Sequence, residues 1–349
     1  MKGGYPADLP SSFDTLEKAL EAGAADFTDT MIRMVEAVEK AEGNPETPVI
    51  KKLMEIAATI AKSLRSKKAD KPNWEKTIKD KFKNSLNCLQ WNICGLRAQF
   101  THAKGFLLYV LYVEPDVILL QEIKAKETFV ARLASTLGYK IETLPSSSPN
   151  NTSMRGCAIL IRESVKCKYI PSSTRTNVNG YVEAVHVDVQ LTKADNSTEM
   201  SRFVSIYSPP PASKRNFVNA KTTLQEIREA LTGRGHQMIT TGDLNMYKTK
   251  NVPITLGAET FRSLWERNGF FDCVKPGWIT NVNVTASSEI DYILTDASGK
   301  KNILCHRPLK LGGKNYHLPI PFEVGNAINR TKQPCSAPKC FFNCSNRST

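Results

Sequence analysis

The stretch from Gln237 to Asn245, "QMITTGDLN", begins as a β-type run and ends in a carboxylate and an amide. Met238, Ile239 and the two threonines suit a pleated strand, and Gly242 punctuates it. Asp243 and Asn245 follow where a core would not take them unpaired. A buried carboxylate is costly unless it is hydrogen-bonded, ion-paired or bound to a metal. A strand that delivers such a group at its end is as much the support of a site as part of a core.

The same form recurs along the chain. "LNCLQWNI" (86–93), "DVILLQE" (116–122), "CAILIRESV" (157–165), "YVEAVHVDVQ" (181–190), "RFVSIYSPP" (202–210) and "EIDYILTD" (289–296) each read as a strand bounded by Gly, Pro, Asn or Ser. Helical spacing of apolar residues lies between several of them. It covers Gln99 to Val113, Glu127 to Leu137 with Gly138 past its end, Lys221 to Leu231, and Glu259 to Asn268 with Gly269 past its end. Strands alternating with helices over residues 86–325 predict a layered α/β fold whose strand ends carry a site.

Five of the runs finish in or contain a polar residue of this kind: Asn92, Glu122, Tyr207, the Asp243 and Asn245 pair, and Asp291. Taken singly, each has an ordinary explanation as a turn residue, a helix cap or an Asx-turn. Strand ends along one edge of a layered sheet converge in space, so the set is more informative than its members. Phosphodiester hydrolysis needs a divalent cation to offset charge on the phosphoryl oxygens, a carboxylate to activate water, and donors to hold the phosphate. Glu122 is the candidate ligand for the hard ion Mg²⁺, with Mn²⁺ as its substitute. Asp243 is the candidate for orienting or deprotonating water, and Asn92, Tyr207 and Asn245 are the candidate phosphate donors. The sequence holds no P-loop or dinucleotide fingerprint to support nucleotide-driven transfer.

Charge points the same way. A formal charge of +13 and a pI near 9.3 favour a polyanionic partner, nucleic acid ahead of an anionic membrane surface. The longest apolar run, Phe106 to Val113, is far too short to span a bilayer, and no secretory pattern opens the chain. Six of the nine cysteines (Cys88, Cys94, Cys157, Cys167, Cys273 and Cys305) are scattered singly, as thiols of a reducing compartment would be. Cys335, Cys340 and Cys344 cluster near the end in a spacing that fits no common zinc pattern. The expectation is a soluble intracellular protein, nuclear at least transiently, that binds double-stranded DNA and no membrane.

The flanks differ from this central part. Between Ser12 and Leu64 two apolar stripes at helical spacing, interrupted by "EGNPETP", predict a helical hairpin or short coiled coil over residues 1–66. Such a unit is too small to stand alone, so residues 12–66 are expected to self-associate or to meet a protein partner. Residues 67–85 read as a basic linker, and residues 326–349 as a cysteine-bearing flexible tail.

The motifs Trp91-Asn92-Ile93-Cys94-Gly95-Leu96-Arg97, Leu120-Gln121-Glu122, Ile206-Tyr207-Ser208-Pro209-Pro210, Gly242-Asp243-Leu244-Asn245, Ile290-Asp291-Tyr292 and His317-Leu318-Pro319-Ile320 resemble, in order and spacing, the exonuclease-endonuclease-phosphatase (DNase I-like) superfamily. Within it the chain looks most like the endonuclease domain of non-LTR retrotransposons of the jockey type. The resemblance covers residues 86–324. It implies a four-layer α/β sandwich of two mixed sheets flanked by helices, with the site at one edge. It implies that His317 is the catalytic histidine, held by Asp291 and facing the scissile phosphate. It also implies a Mg²⁺-dependent endonuclease that nicks duplex DNA and leaves a 3′-hydroxyl for target-primed reverse transcription. No reverse transcriptase segment follows, so the expectation is an isolated endonuclease unit from a truncated or domesticated element. Arg97 and Trp278 are the candidate DNA contacts, the latter in a segment, 275–288, that reads as a DNA-facing loop; a tryptophan in a loop is more often a packing anchor.

Three departures from the family pattern stand out. Relatives usually carry Ser-Asp-His where this chain has Asn315-Tyr316-His317, so a tyrosine replaces an acid. Cys94 stands where some relatives place an Asp or Asn, and Pro210 where repair enzymes have an Asn. The competing readings are an abasic-site repair endonuclease, which Pro210 argues against, and a DNA-binding copy in which Tyr316 has weakened or abolished catalysis. Lipid phosphatases of the same fold are disfavoured by the basic charge.

Overall fold

The computed structural model describes residues 85–96, 106, 110, 113–144, 156–165, 167–171, 176–178, 182–192, 197–208, 224–225, 236–248, 260–282, 287–309 and 316–325. The expected N-terminal hairpin and cysteine-bearing tail lie outside these residues, as does the basic linker apart from its last residue, Ser85. The expected helices over 99–113 and 221–231 are described only at 106, 110 and 113 and at 224–225, all helical.

In chain order the strands are β1 (Leu86–Asn92), β2 (Val117–Gln121), β3 (Tyr139–Leu144), β4 (Cys157–Arg162), β5 (Cys167–Pro171), β6 (Thr176–Val178), β7 (Val182–Thr192), β8 (Thr198–Tyr207), β9 (Gln237–Asp243), β10 (Phe271–Asp272), β11 (Asn281–Val282), β12 (Ser287–Ser288), β13 (Asp291–Thr295), β14 (Ile303–Cys305), β15 (Tyr316–His317) and β16 (Ile320–Val324). They form a six-stranded sheet in the order β14-β16-β1-β2-β4-β3, a seven-stranded sheet in the order β10-β13-β9-β8-β7-β5 with β6 on β7, and a small sheet β12-β11-β15. Both large sheets are mixed. The pairs β1–β2 and β8–β9 are parallel and the remaining pairs antiparallel. A parallel neighbour requires a crossover, and the helical positions 106, 110 and 113 lie in the connection from β1 to β2.

The two sheets pack face to face. Leu86 and Cys88 of β1, Val117 and Leu119 of β2, Phe203 of β8, Ile239 of β9, Ile293 of β13 and Phe322 of β16 belong to one buried cluster between them. Successive side chains on a strand alternate in face, so residues two apart share one. That rule carries the same inner face onward from Leu86 and Cys88 to Gln90 and Asn92. It leads likewise from Val117 and Leu119 to Gln121, from Phe203 to Ser205 and Tyr207, and from Ile239 to Thr241 and Asp243. The inter-sheet layer is therefore aliphatic at one end and polar at the other. The antiparallel β13 runs the opposite way, so its first residue, Asp291, lies at the polar end as the register partner of Asp243.

Helices cover the outer faces. α1 (Glu127–Thr136) packs on β3 and ends at Gly138, whose φ of 81° is the left-handed turn that glycine adopts at little cost. α2 (Phe261–Arg267) presses Phe261, Leu264 and Trp265 into a second cluster with Met238, Leu294 and Tyr292 of the seven-stranded sheet. It starts at Phe261 rather than at Glu259 because Thr260 takes the cap. The Thr260 hydroxyl accepts from Ser263 N and the Ser263 hydroxyl accepts from Thr260 N, a reciprocal capping box.

The seven expected strands are all present, and the sequence pattern misses the rest. β3, "YKIETL", lies at a sheet edge with exposed Lys140, and its polar residues obscure the alternation. β16 carries Pro321, which usually argues against a strand interior, yet it pairs between β1 and β14. Among the described residues no helix is long and apolar enough to cross a membrane.

Candidate active site

At the polar end of the inter-sheet layer the first structure is a chain of amides. Gln90 Nε2 donates to Gln121 Oε1 at 3.0 Å, Gln121 Nε2 donates to Ser205 Oγ at 2.8 Å, and Ser205 Oγ donates to the Leu120 carbonyl at 2.8 Å. This links the six-stranded sheet to the seven-stranded one and fixes their spacing beneath the site. The Gln90 amide also reaches Asp291 Oδ1 at 3.2 Å.

Above this floor Asn92 is the hub. Its Nδ2 donates to Glu122 Oε1 and to Asp243 Oδ2, each at 3.0 Å, and lies 3.4 Å from His317 Nε2. Its Oδ1 accepts from Cys94 N at 3.1 Å and from Cys94 Sγ at 3.5 Å. Those two donors fix which way round the amide sits, so the NH₂ end must face the carboxylates. The Cys94 thiol is pushed up to about 12 by burial and by the Glu122 carboxylate. At neutral pH it is a donor, not a thiolate ligand.

His317 enters from the small third sheet. β15 pairs with β11, where Asn281 opposes His317, and the His317 carbonyl accepts from Trp91 Nε1 at 3.0 Å. Its Nδ1 is 2.9 Å from Asp291 Oδ2 and its Nε2 is 3.5 Å from Asp243 Oδ2. Thr280 Oγ1 accepts from both Ile290 N and Asp291 N, at 3.1 and 3.0 Å, and so holds the start of β13 in place. Burial works against charge on the imidazole, but Asp291 and Asp243 outweigh it and raise His317 to about 9. Burial raises Asp243 to about 7, with the His317 charge opposing and Asp291 assisting.

Asn245 completes the edge. Its backbone φ of 50° is left-handed, a conformation asparagine tolerates better than most residues. Asn245 N donates to Asp243 Oδ1 at 2.8 Å, and its Nδ2 donates to the Ser208 carbonyl at 2.7 Å and to Asp243 Oδ2 at 3.1 Å. Tyr207 ends β8 as the register partner of Asp243 and is buried.

Asn92, Glu122, Tyr207, Asp243, Asn245, Asp291 and His317 are thus brought to one edge. Trp278 is half-buried against the inter-sheet cluster with the Lys275 ammonium 5.4 Å from its ring centroid, so it packs as an anchor. Arg97 lies outside the described residues, and of position 316 only the backbone is described, paired with Val282. The sequence reading missed Gln90, Gln121, Ser205 and Thr280. Gln90 carried a usable signal: a polar residue inside an apolar strand, two positions before Asn92 and therefore on its face.

The donor set suits a hard cation. Asp243, Asp291 and His317 form a buried group whose ligand atoms lie within 4.8 Å of one another, and Glu122 adds a carboxylate through the shared Asn92 amide. His317 Nδ1 is engaged by Asp291, which leaves the Glu122 and Asp243 oxygens as the oxygen ligands that Mg²⁺ or Mn²⁺ prefers. Gln90 Oε1 and Ser208 Oγ are buried with no hydrogen-bond partner among the described residues, so the polar edge holds unused oxygens for water or an ion.

Two mixed sheets packed face to face, clothed by helices and polar at one edge, are the DNase I-like α/β sandwich. Residues 89–309 match the model of the Endonuclease/Exonuclease/phosphatase family, and the chain belongs to that family of nucleases and phosphatases. Its fold is similar to that of the AP endonuclease LMAP from Leishmania major, at 16% identity and a TM-score of 0.51, over 76% of this chain and 98% of that one. The catalytic domain of Xenopus laevis APE2 matches at 16% identity and a TM-score of 0.49 over 70% of this chain and 94% of that one. The endonuclease domain of TRAS1, a telomere-specific non-LTR retrotransposon, matches at 14% and 0.48 over 69% and 98%. At these identities the likeness is one of fold. No curated protein matches the sequence.

Proposed function

We propose that the protein is a divalent-metal-dependent endonuclease that nicks duplex DNA and leaves a 3′-hydroxyl, as non-LTR elements do to prime reverse transcription. The observation that carries the reading is the single Asn92 amide holding Glu122 and Asp243 beside an Asp291–His317 pair. The net charge of +13 suits a duplex, and the motif order resembles the retrotransposon branch.

In this reading Glu122 would hold Mg²⁺, which would supply charge to offset the phosphoryl oxygens. Asp243, raised to about 7, is poised near neutrality to take a proton from the attacking water. A new bond forms from the water oxygen to phosphorus as its proton passes to Asp243, the bond to the 3′-oxygen breaks, and that oxygen takes a proton from solvent to leave as the 3′-hydroxyl. His317, kept charged and oriented by Asp291, donates to the phosphate as negative charge develops. The Tyr207 hydroxyl positions the phosphate, while the Asn92 and Asn245 amides, whose N–H groups are given to Glu122, Asp243 and the Ser208 carbonyl, hold the carboxylates in place for it.

Conversion of supercoiled plasmid to open circle with Mg²⁺ tests this, alongside EDTA, Asp243→Ala and Tyr316→Asp. Nicking that vanishes with EDTA and with Asp243→Ala supports the endonuclease and shows that Tyr316 is tolerated. If nicking appears only in Tyr316→Asp, the chain is a disabled copy whose remaining role is to bind DNA.

A further inference from the structure

Lys124 stands beside the carboxylate on which cation binding depends. Its Nζ lies 2.6 Å from Glu122 Oε2, while Glu122 Oε1 accepts from Asn92. The geometry is built in by the backbone. Glu122 and Lys124 have φ of 49° and 44°, a left-handed conformation that side-chain-bearing residues adopt only under constraint. Between them Ile123 is fully buried, its N–H donates to the Gly156 carbonyl at 3.2 Å, and its carbonyl accepts from Leu96 N at 3.0 Å. The pinned isoleucine and the two left-handed residues fold the segment back so that the lysine of the i+2 position meets the glutamate.

The two oxygens of Glu122 are therefore both engaged, one by an amide and one by an ammonium. Each oxygen keeps a further lone pair, but a divalent ion seated about 2.1 Å from Oε2 would meet the Lys124 ammonium, charge against like charge. The Asn92 contact also holds Asp243, so the ammonium is the group that can yield. Its side chain is 31% exposed against 15% for Glu122, which leaves it a path outward toward solvent.

We propose that Lys124 is a resident cation at the divalent-ion position of Glu122, displaced by the incoming ion and then free to pair with a DNA phosphate. Before the ion arrives, the lysine keeps a mostly buried carboxylate ionised and in place, at the cost of competing with the ion. After exchange, the ammonium stands beside the same edge with three donors and one charge, where a phosphate takes it up. Ion binding and phosphate binding then assist each other, and by linkage each must raise the affinity of the other. The phosphate half of the inference rests on the endonuclease reading, whereas the exchange at Glu122 does not.

The test is binding of Mn²⁺ to the full chain, followed by electron paramagnetic resonance of free Mn²⁺. It uses wild type, Lys124→Met, Lys124→Gln, Lys124→Arg and Glu122→Gln, with and without a short duplex carrying phosphorothioate linkages. Removing a charge about 5 Å from a divalent ion is expected to tighten Mn²⁺ binding roughly tenfold at low salt. Lys124→Met and Lys124→Gln should both show it, Lys124→Arg should not, and Glu122→Gln should weaken binding. The duplex should tighten Mn²⁺ binding in wild type more than in Lys124→Met. Equal or weaker Mn²⁺ binding in both neutral variants, with circular dichroism showing them folded, overturns the proposal, as does an absence of Mn²⁺ binding in every form. Tightened Mn²⁺ binding in a protein that never nicks plasmid would retire the endonuclease reading and leave the exchange standing.

Discussion

Asp243 and Asp291 are register partners on adjacent antiparallel strands, and His317 spans them, with Nδ1 2.9 Å from Asp291 and Nε2 3.5 Å from Asp243. Two buried carboxylates side by side would repel one another strongly if nothing stood between them. The two carboxylates explain why the histidine holds its proton, whereas burial and the Asp291 charge, against the pull of the imidazolium, leave Asp243 with its own affinity for one. The order of the three groups suits proton movement at Asp243 while Asp291 fixes the ring.

Asp291→Asn should leave the fold intact by circular dichroism, because an amide of the same shape still accepts from Gln90. It should lower plasmid nicking by about 10²- to 10⁴-fold, since the ring loses the carboxylate that sets its charge and tautomer. Wild-type nicking rates in this variant would remove His317 from the chemistry.

Asn92→Ala removes the amide between Glu122 and Asp243, and no side chain replaces it. Leaving buried acceptors without their donor costs about 1–3 kcal/mol, so urea unfolding should show a loss of that order together with a fall in nicking. A stability unchanged to within error would mean that water takes over both bonds.

Gly242 precedes Asp243, and a Cβ built on it would lie 1.8 Å from the Ile206 carbonyl oxygen. Backbone on the neighbouring strand cannot step aside as a side chain can. Gly242→Ala should force β8 and β9 apart and destabilise the protein by about 3 kcal/mol or more, with Asp243 displaced. Thermal unfolding measures the first effect and Mn²⁺ affinity the second.

The proton on His317 makes stability depend on pH in the metal-free protein. Its folded value of about 9 is above the ordinary 6.5, so its contribution is fully present below pH 6.5 and is lost as pH rises through 9. Asp243, also raised, loses its contribution between 3.8 and about 7 and so acts in the same direction at lower pH. The melting temperature in EDTA should therefore fall from pH 6.5 to pH 9. His317→Gln should flatten that fall; a slope of the same size in the variant would place its origin elsewhere.

Mg²⁺ at one hundred times its dissociation constant should add about 2.7 kcal/mol to the stability of the native state, seen as a raised melting temperature that EDTA reverses. Glu122→Gln should lose most of this shift while retaining the EDTA melting temperature to within a few degrees. A full shift in Glu122→Gln would show that the ion sits elsewhere, the buried Asp243, Asp291 and His317 group being the alternative.

The sequence by itself determined the strands that end in Asn92, Tyr207 and Asp243 and the one that stops just before Glu122, because apolar β-type runs bounded by turn residues are local signals that need no partner. It determined α1 and α2 for the same reason, including the glycines at 138 and 269. Their motif order also placed the chain in its family. Only the tertiary structure decided what these residues face. Asn92 and Asp243 are 151 positions apart, and their 3.0 Å contact exists because β1 and β9 lie in different sheets packed on one core. The Gln90–Gln121–Ser205 chain has no local signature, since each member is an ordinary polar residue until the sheets close on it. His317 stands on a two-residue strand too short for any periodicity, so its partner Asp291 is set by long-range pairing alone. Lys124 reads in the sequence as one more lysine of a basic chain. Two left-handed residues around a buried isoleucine turn it onto Glu122, and that backbone choice is made by the sheets and loops that pin Ile123.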